Sequence, residues 1–252
     1  MSEQHEGRGV ALVTGAANGI GAGATRYLAA SGMRVVVCDV DDGPGRELAD
    51  AVDGLYVHCD VREPDHHAAA VSAALDRFGR LDLVHLNAGV TSGCTLGEDF
   101  DLERYRRAMG INLDGVVFGV HAALPALRAG GGGQIIVTAS MAGVVAVPFD
   151  PIYAANKHAL VGLVRSLGVT LGPETGIRVN ALCPSFAETA IITEIRPLLD
   201  EWKFPVLSVD DVVDAFARIV TGTETGECFT VVPGRDSEPF RFRNAPGPRP
   251  VS

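Results

Sequence analysis

The stretch from Val10 to Ser31 constrains the fold more than any other. Val10-Ala11-Leu12-Val13-Thr14 is a short apolar run of strand length. Gly15-Ala16-Ala17-Asn18-Gly19-Ile20-Gly21 follows at once, and then an alanine-rich helical segment, Ala22 to Ser31. A strand that passes through glycines into a helix gathers free backbone N–H groups and the positive helix end at one point, which makes an anion site suited to a pyrophosphate. Gly15 permits the sharp turn, Gly19 lets backbone approach the phosphates, and Gly21 lets helix and strand pack closely. The spacing is GxxxGxG rather than GxGxxG, and taken alone it also fits an ordinary strand-to-helix turn.

The next apolar run narrows that choice. Met33 to Cys38 reads as a second strand ending at Asp39, about 20 residues beyond the glycines, where a carboxylate can accept hydrogen bonds from an adenosine ribose. A 2′-phosphate there meets like charge, and Asn18 is neutral, so the pattern points to NAD over NADP. After a helix near Gly43 to Val52, a third strand, Leu55 to Cys59, ends in Asp60-Val61. The Asp60 carboxylate can take an adenine amino group and the Val61 N–H can serve its ring, although Asp60 also suits a turn or helix cap. A helix from Pro64 to Phe78 follows, with His66 and His67 read as solvated at its exposed start, and no metal is assigned.

Strand and helix patterns continue to alternate, which argues for a parallel α/β sheet. Leu81 to Leu86 is a fourth strand running into Asn87-Ala88-Gly89, where Asn87 can tie neighbouring strands and the small residues leave room for a cofactor ribose. Val90 to Gly97 is loop-like and borders the substrate. A long helical pattern from Leu102 to Ala129 carries Asn112, a polar residue that needs a water or a backbone carbonyl as partner when buried. Gln134 to Thr138 is a fifth strand ending near Ser140, and Gly176 to Cys183 is a sixth. Beyond Pro184-Ser185-Phe186, the residues Phe186, Ile191, Ile192, Leu198 and Trp202 suggest an apolar lid. Ser208-Val209-Asp210-Asp211 opens a helix through Val220, Glu227 to Val232 is the last strand, and a Pro- and Arg-rich tail from Pro233 either wraps a neighbour or is disordered.

Between the fifth and sixth strands, Pro151 to Leu171 reads as one helix, on which Tyr153 and Lys157 lie four apart and project from the same side. A free tyrosine, with a pKa of about 10, is a poor base at neutral pH, and a nearby ammonium lowers that value. Ser140, at the C-terminal end of a strand, can donate to a substrate oxygen. No GxSxG elbow or placed histidine and acid suggests a Ser-His-Asp hydrolase.

Composition sets the outer bounds. At 252 residues the chain suits one α/β domain with a sizeable core. A net charge of -10 argues against nucleic acid as the main partner. The five cysteines have neither CxxC nor metal spacing and read as reduced, mostly buried thiols. No apolar run is read as long enough for a bilayer and the first residues lack a basic-then-apolar leader, so a cytoplasmic location without a membrane partner is expected.

Thr14-Gly15-Ala16-Ala17-Asn18-Gly19-Ile20-Gly21, Asn87-Ala88-Gly89, Asn112, Ser140 and Tyr153 with Lys157 together resemble the short-chain dehydrogenase/reductase family, over about Val10 to Gly234. The resemblance implies a doubly wound, Rossmann-type sheet of seven parallel strands, ordered 3-2-1-4-5-6-7, with helices on both faces. Residues 9–234 form the core and 235–252 a tail. It implies an Asn112-Ser140-Tyr153-Lys157 tetrad in which Tyr153 exchanges a proton with the substrate oxygen, Ser140 orients that oxygen, Lys157 lowers the Tyr153 pKa and binds the nicotinamide ribose, and Asn112 holds a relay water. It further places Pro184, Phe186 and Thr189 beside the nicotinamide, with Thr189 on the carboxamide, and implies a homodimer or homotetramer. Ser185 stands where the family usually has glycine, Leu86 where it has a second asparagine, and Val232-Pro233-Gly234-Arg235-Asp236 replaces a glycine-rich close. The leading expectation is NAD-dependent oxidation of a small apolar secondary alcohol, or reduction of the ketone. The alternatives are an NADPH-dependent ketoacyl-type reductase and a dinucleotide-binding regulator without turnover.

Overall fold

In the computed structural model, which describes residues 9–243, the sheet follows the chain's apolar runs closely. Strands β1 (Val10–Thr14), β2 (Arg34–Asp39), β3 (Leu55–His58), β4 (Leu83–Leu86), β5 (Gly133–Thr138), β6 (Ile177–Pro184) and β7 (Cys228–Val231) are all parallel and lie in the order 3-2-1-4-5-6-7. Because both sheet faces are covered, the central strands are apolar at successive positions rather than alternately polar. Val10, Leu12, Val36, Val84, Ile135 and Val179 belong to one core, shared with helices α3 (Pro64–Phe78), α5 (Gly115–Ala129) and α6 (Pro151–Thr175). Ala11, Val13, Val35, Val37, Ile136 and Leu182 belong to the other, shared with α1 (Gly19–Ala30), α2 (Asp42–Ala51) and α8 (Val209–Thr221). The order reverses at β1, which pairs with β2 on one side and β4 on the other, and a crevice opens at the carboxyl ends of the strands there.

Several details depart from the sequence expectations. An eighth strand, β8 (Glu238–Pro239), pairs antiparallel with β7, so the early part of the tail folds back on its own sheet instead of wrapping a neighbour or being disordered. Phe240 N–H donates to Cys228 O at 2.8 Å, and the Arg165 guanidinium lies 3.9 Å from the Phe242 ring centre, a cation–π contact that holds the segment against α6. The remainder of the tail, 244–252, lies outside the described residues.

The long helical pattern is two helices, α4 (Leu102–Met109) and α5, joined by a π-turn over Gly110–Asp114. The joined segment Leu102–Ala129 is long and apolar enough to cross a membrane by length and composition, contrary to the sequence expectation. It packs instead as a layer helix beside α3, with Val116, Val120, Ala123 and Leu127 in the core.

His67 is buried rather than solvated, its Nε2 within 2.9 Å of Val61 O, because one face of α3 turns toward the sheet there. All five cysteines are free and buried. Helix α6 runs past Leu171 to Thr175, and Gly176 at φ 68° closes it in the left-handed region. The capping pattern before α8 forms as read: Asp211 N–H donates to Ser208 Oγ at 3.1 Å and Ser208 N–H to Asp211 Oδ2 at 2.8 Å.

Candidate active site

The floor of the crevice is built from glycine. Gly15 has φ 60°, and a Cβ on it comes within 2.7 Å of Ala88 Cα. Gly19 has φ 52°, and its added Cβ lies 3.0 Å from the Thr189 methyl. A Cβ on Gly21 meets Gly15 O at 2.1 Å, so only glycine lets α1 start directly against the turn. Asn18 makes no side-chain cap bond and lines the crevice with Gly15, Gly19 and Ile20.

Asp39 is fixed beside this turn. Its Oδ2 accepts Ala17 N–H at 2.8 Å and its Oδ1 accepts Asp41 N–H at 3.0 Å. Asp60 and Val61 do not line the cavity. Asp60 is forked by the Arg62 guanidinium, whose hydrogen bonds hold the carboxyl below its usual range. Val61 is buried, with its side chain against the π-turn end at Gly115.

Asn87 fastens three strands at the crevice. Its N–H donates to Thr14 Oγ1 at 3.0 Å, and its Nδ2 donates to Thr14 O at 3.2 Å and Gly15 O at 3.0 Å. Its Oδ1 accepts from Thr138 Oγ1 at 3.0 Å. The Thr138 proton is thereby committed, so the His85 Nε2, 2.8 Å from Thr138 Oγ1, is the donor. Burial pulls the His85 pKa down to about 3, which keeps the ring neutral.

Of the four expected tetrad positions, Ser140, Tyr153 and Lys157 line the same crevice and Asn112 lies behind it. Tyr153 and Lys157 stand one turn apart on α6, with the Lys157 ammonium 5.5 Å from the phenol ring centre. Lys157 is buried and donates to Thr138 O at 2.9 Å, and burial brings its pKa down to about 8. Contrary to the expected lowering by Lys157, burial pushes the Tyr153 phenol up to about 12; a hydrogen bond with Ser140 opposes that shift, and Asp150 and Cys183 add to it. Ser140 caps a short 3₁₀ turn, Met141–Gly143, by accepting Ala142 N–H at 3.1 Å. Asn112, in the π-turn, is fully buried and uses both ends of its amide on one residue: Oδ1 accepts Val90 N–H and Nδ2 donates to Val90 O, each at 2.8 Å. A Cβ on Gly89 lies 3.4 Å from Asn112 Oδ1 and 3.5 Å from Lys157 Nζ, so these groups adjoin.

The cavity has a volume of about 510 Å³, the size of a small-ligand site. Asn87, Ala88, Gly89, Ser140, Tyr153, Lys157, Pro184, Phe186 and Thr189 line it beside the glycine turn, while Gly21, Asp39 and Asn112 support it from behind. Its outer wall is apolar. The Phe149 and Phe186 rings stack with centres 6.4 Å apart, and the Phe204 ring meets Phe186 edge-on at 5.3 Å. Of the expected lid, Phe186, Ile191 and Ile192 line the cavity, but Leu198 and Trp202 point outward from the region of α7 (Arg196–Glu201); Ile195 and Phe204 take their places.

Among proteins of known sequence, the family described as short chain dehydrogenase matches residues 9–199. The chain belongs to the short-chain dehydrogenase/reductase family. It is 38% identical over 198 residues to a trans-4-hydroxycyclohexanecarboxylate dehydrogenase of Sinomonas cyclohexanicum, covering 74% of this chain and 75% of that one. It is 34% identical over 192 residues to a cyclohexanol dehydrogenase of Acinetobacter sp. (strain SE19), covering 74% and 76%. A crystal structure of a 3-ketoacyl-(acyl-carrier-protein) reductase from Brucella melitensis, complexed with NADH, superimposes with a TM-score of 0.83 at 30% identity, over 90% of this chain and 98% of that one.

The glycine cradle of this dehydrogenase, closed to any Cβ, fits the nicotinamide dinucleotides of its family. Sequence reading missed Thr138, whose carbonyl holds Lys157, and Arg62, which occupies Asp60. It also missed Asp150, although an acidic residue directly before a proline at a helix start is a legible capping signal.

Proposed function

We propose that this short-chain dehydrogenase oxidises a small, largely apolar secondary alcohol with NAD, or reduces the corresponding ketone. The observation that carries the reading is the convergence of Tyr153, Lys157 and Ser140 on a crevice floored by the glycine turn. NAD supplies the hydride acceptor. Tyr153 Oη takes the hydroxyl proton of the alcohol, and Ser140 Oγ holds the same oxygen in line. Lys157, charged below about pH 8 and 5.5 Å from the phenol ring centre, would supply a cation to offset the burial that raises the phenol, and would hold the nicotinamide ribose. Both ends of the Asn112 amide are bonded to Val90, so the relay water that the resemblance places on Asn112 has no part in this scheme.

Two observations support NAD. The Asp39 carboxylate is fixed beside the glycine turn by Ala17 N–H, where it would repel a 2′-phosphate, and a structural relative was solved with NADH. The apolar wall, and the relatives that act on cyclohexanol and trans-4-hydroxycyclohexanecarboxylate, support an alicyclic substrate. A second reading, a ketoacyl-type reductase, draws on the Brucella melitensis relative.

The deciding experiment follows NADH absorbance across cyclic secondary alcohols, steroids, small terpenols and ketoacyl thioesters, with NAD and NADP side by side. Turnover of cyclic alcohols with a higher kcat/KM for NAD supports the first reading. A preference for NADPH and ketoacyl thioesters supports the second, and binding without turnover of any substrate leaves a regulator.

A further inference from the structure

A buried carboxylate that none of the tetrad roles uses lies at the start of the Tyr153 helix. Asp150 is 8% exposed and lines the cavity. It accepts three hydrogen bonds: Tyr153 N–H to Oδ1 at 2.9 Å, Ser92 N–H to Oδ2 at 3.0 Å, and the Ser92 hydroxyl to Oδ1. Three donors thus converge on its two oxygens, one from its own helix and two from Ser92. Ser92, itself 4% exposed, accepts Cys94 N–H at 3.1 Å and so carries the link into the loop. Two residues earlier, Val90 is clasped by Asn112. Thr91, held between these two fastenings, faces the cavity.

We propose that Asp150 is a positioning residue of this dehydrogenase: through Ser92 it locks the loop that presents Thr91 to the first turn of the helix that presents Tyr153. The two walls that meet at the substrate oxygen are thereby held as one piece, and misplacement of either costs rate steeply. A helix cap alone needs only the bond to Tyr153 N–H. The two bonds to Ser92 reach across 58 residues of sequence and fix something other than the helix.

Asp150 also places a negative charge near the phenol. The groups facing the phenol are Lys157 from α6, Asp150 from its N-cap, Ser140 from the turn after β5, and Cys183 from β6, and of these Asp150 and Cys183 disfavour the phenolate. Removing its charge while keeping its shape shifts the balance toward the phenolate.

The proposal rests on the alcohol dehydrogenase reading, so its test carries a readout independent of turnover. Hydrogen exchange is measured over 90–97 in wild type, Ser92→Ala and Asp150→Asn; asparagine still caps a helix, so α6 is preserved. Both variants are expected to exchange at least about tenfold faster in this loop while β2 and β5 keep their protection. On an alcohol that wild type oxidises, Ser92→Ala raises KM about fivefold with kcat within about twofold. Asp150→Asn additionally moves the rising limb of the kcat/KM profile about half a pH unit lower, a shift that Ser92→Ala lacks. Unchanged exchange in the loop, or equal pH profiles in the two variants, overturns the proposal. If wild type oxidises no alcohol, the function reading fails, and the exchange experiment still decides whether Asp150 holds the loop.

Discussion

The floor of the crevice and its mouth are built on opposite principles. On the floor, Thr14, Asn112 and Lys157 are at most 2% exposed, and position is set by glycine backbones and by hydrogen bonds whose donors and acceptors are all assigned. At the mouth, Phe149 is 58% exposed and Phe204 42%, and the side chains meet through ring contacts. A buried polar network tolerates almost no change, because each lost partner leaves a desolvated group unsatisfied. Half-exposed rings exchange at little cost in stability. Chemistry is therefore fixed in one region, and selectivity is left adjustable in the other.

The sharpest way to break this contrast is Tyr153→Phe. It is expected to lower kcat/KM by about 10³-fold while NADH binding, read by fluorescence, stays within about twofold. Surviving turnover removes Tyr153 from the proton transfer. Next in size is Gly21→Ala, whose new methyl meets Gly15 O at 2.1 Å. A loss of about 2–4 kcal/mol in urea unfolding is expected, together with roughly 10²-fold weaker cofactor binding.

Lys157→Met sharpens the comparison by separating stability from activity. Lys157 titrates near 8 in the fold against an ordinary value of 10.5, so between those values the unfolded chain binds more protons and stability rises with pH. Below pH 8 the full cost of burying the ammonium is present. The methionine variant is therefore expected to be more stable than wild type at pH 7 by about 2 kcal/mol, with the gap closing from pH 8 toward 10.5, while alcohol oxidation falls about 10²-fold. An unchanged gap across that window contradicts the assignment. The smallest effect belongs to the mouth: Phe149→Ala should raise KM for a cyclic alcohol about tenfold, with the unfolding midpoint nearly unchanged.

Much of the floor was legible in the sequence, because its determinants are local. Glycines at 15, 19 and 21, an acid ending β2 and a Tyr–Lys pair at helical spacing each act through their own few residues. The strands were equally open to reading, since continuous apolar runs buried on both faces leave a strong signal. What escaped depends on partners far along the chain. The π-turn leaves the apolar periodicity of Leu102–Ala129 almost unaltered, and its reason is a clasp on Val90. His67 looks like any polar residue in a first helical turn until the sheet is placed beneath it. Leu198 and Trp202 are as apolar as Ile195 and Phe204, and only the path of α7 decides which of them face inward. Strand β8 is two residues long and carries no pattern at all.

The π-turn at Gly110–Asp114 has a bearing on how this enzyme can be altered. It is one residue longer than a regular helical turn requires, so it looks like a defect that a stabilising redesign would trim. Deleting a residue there rotates one flanking helix by about 100° relative to the other. Asn112 then leaves Val90, and a better helix is obtained at the expense of a loop with nothing to grip. Thermal hardening of this protein should begin on the surface of α3 or α8 and leave that irregular turn alone.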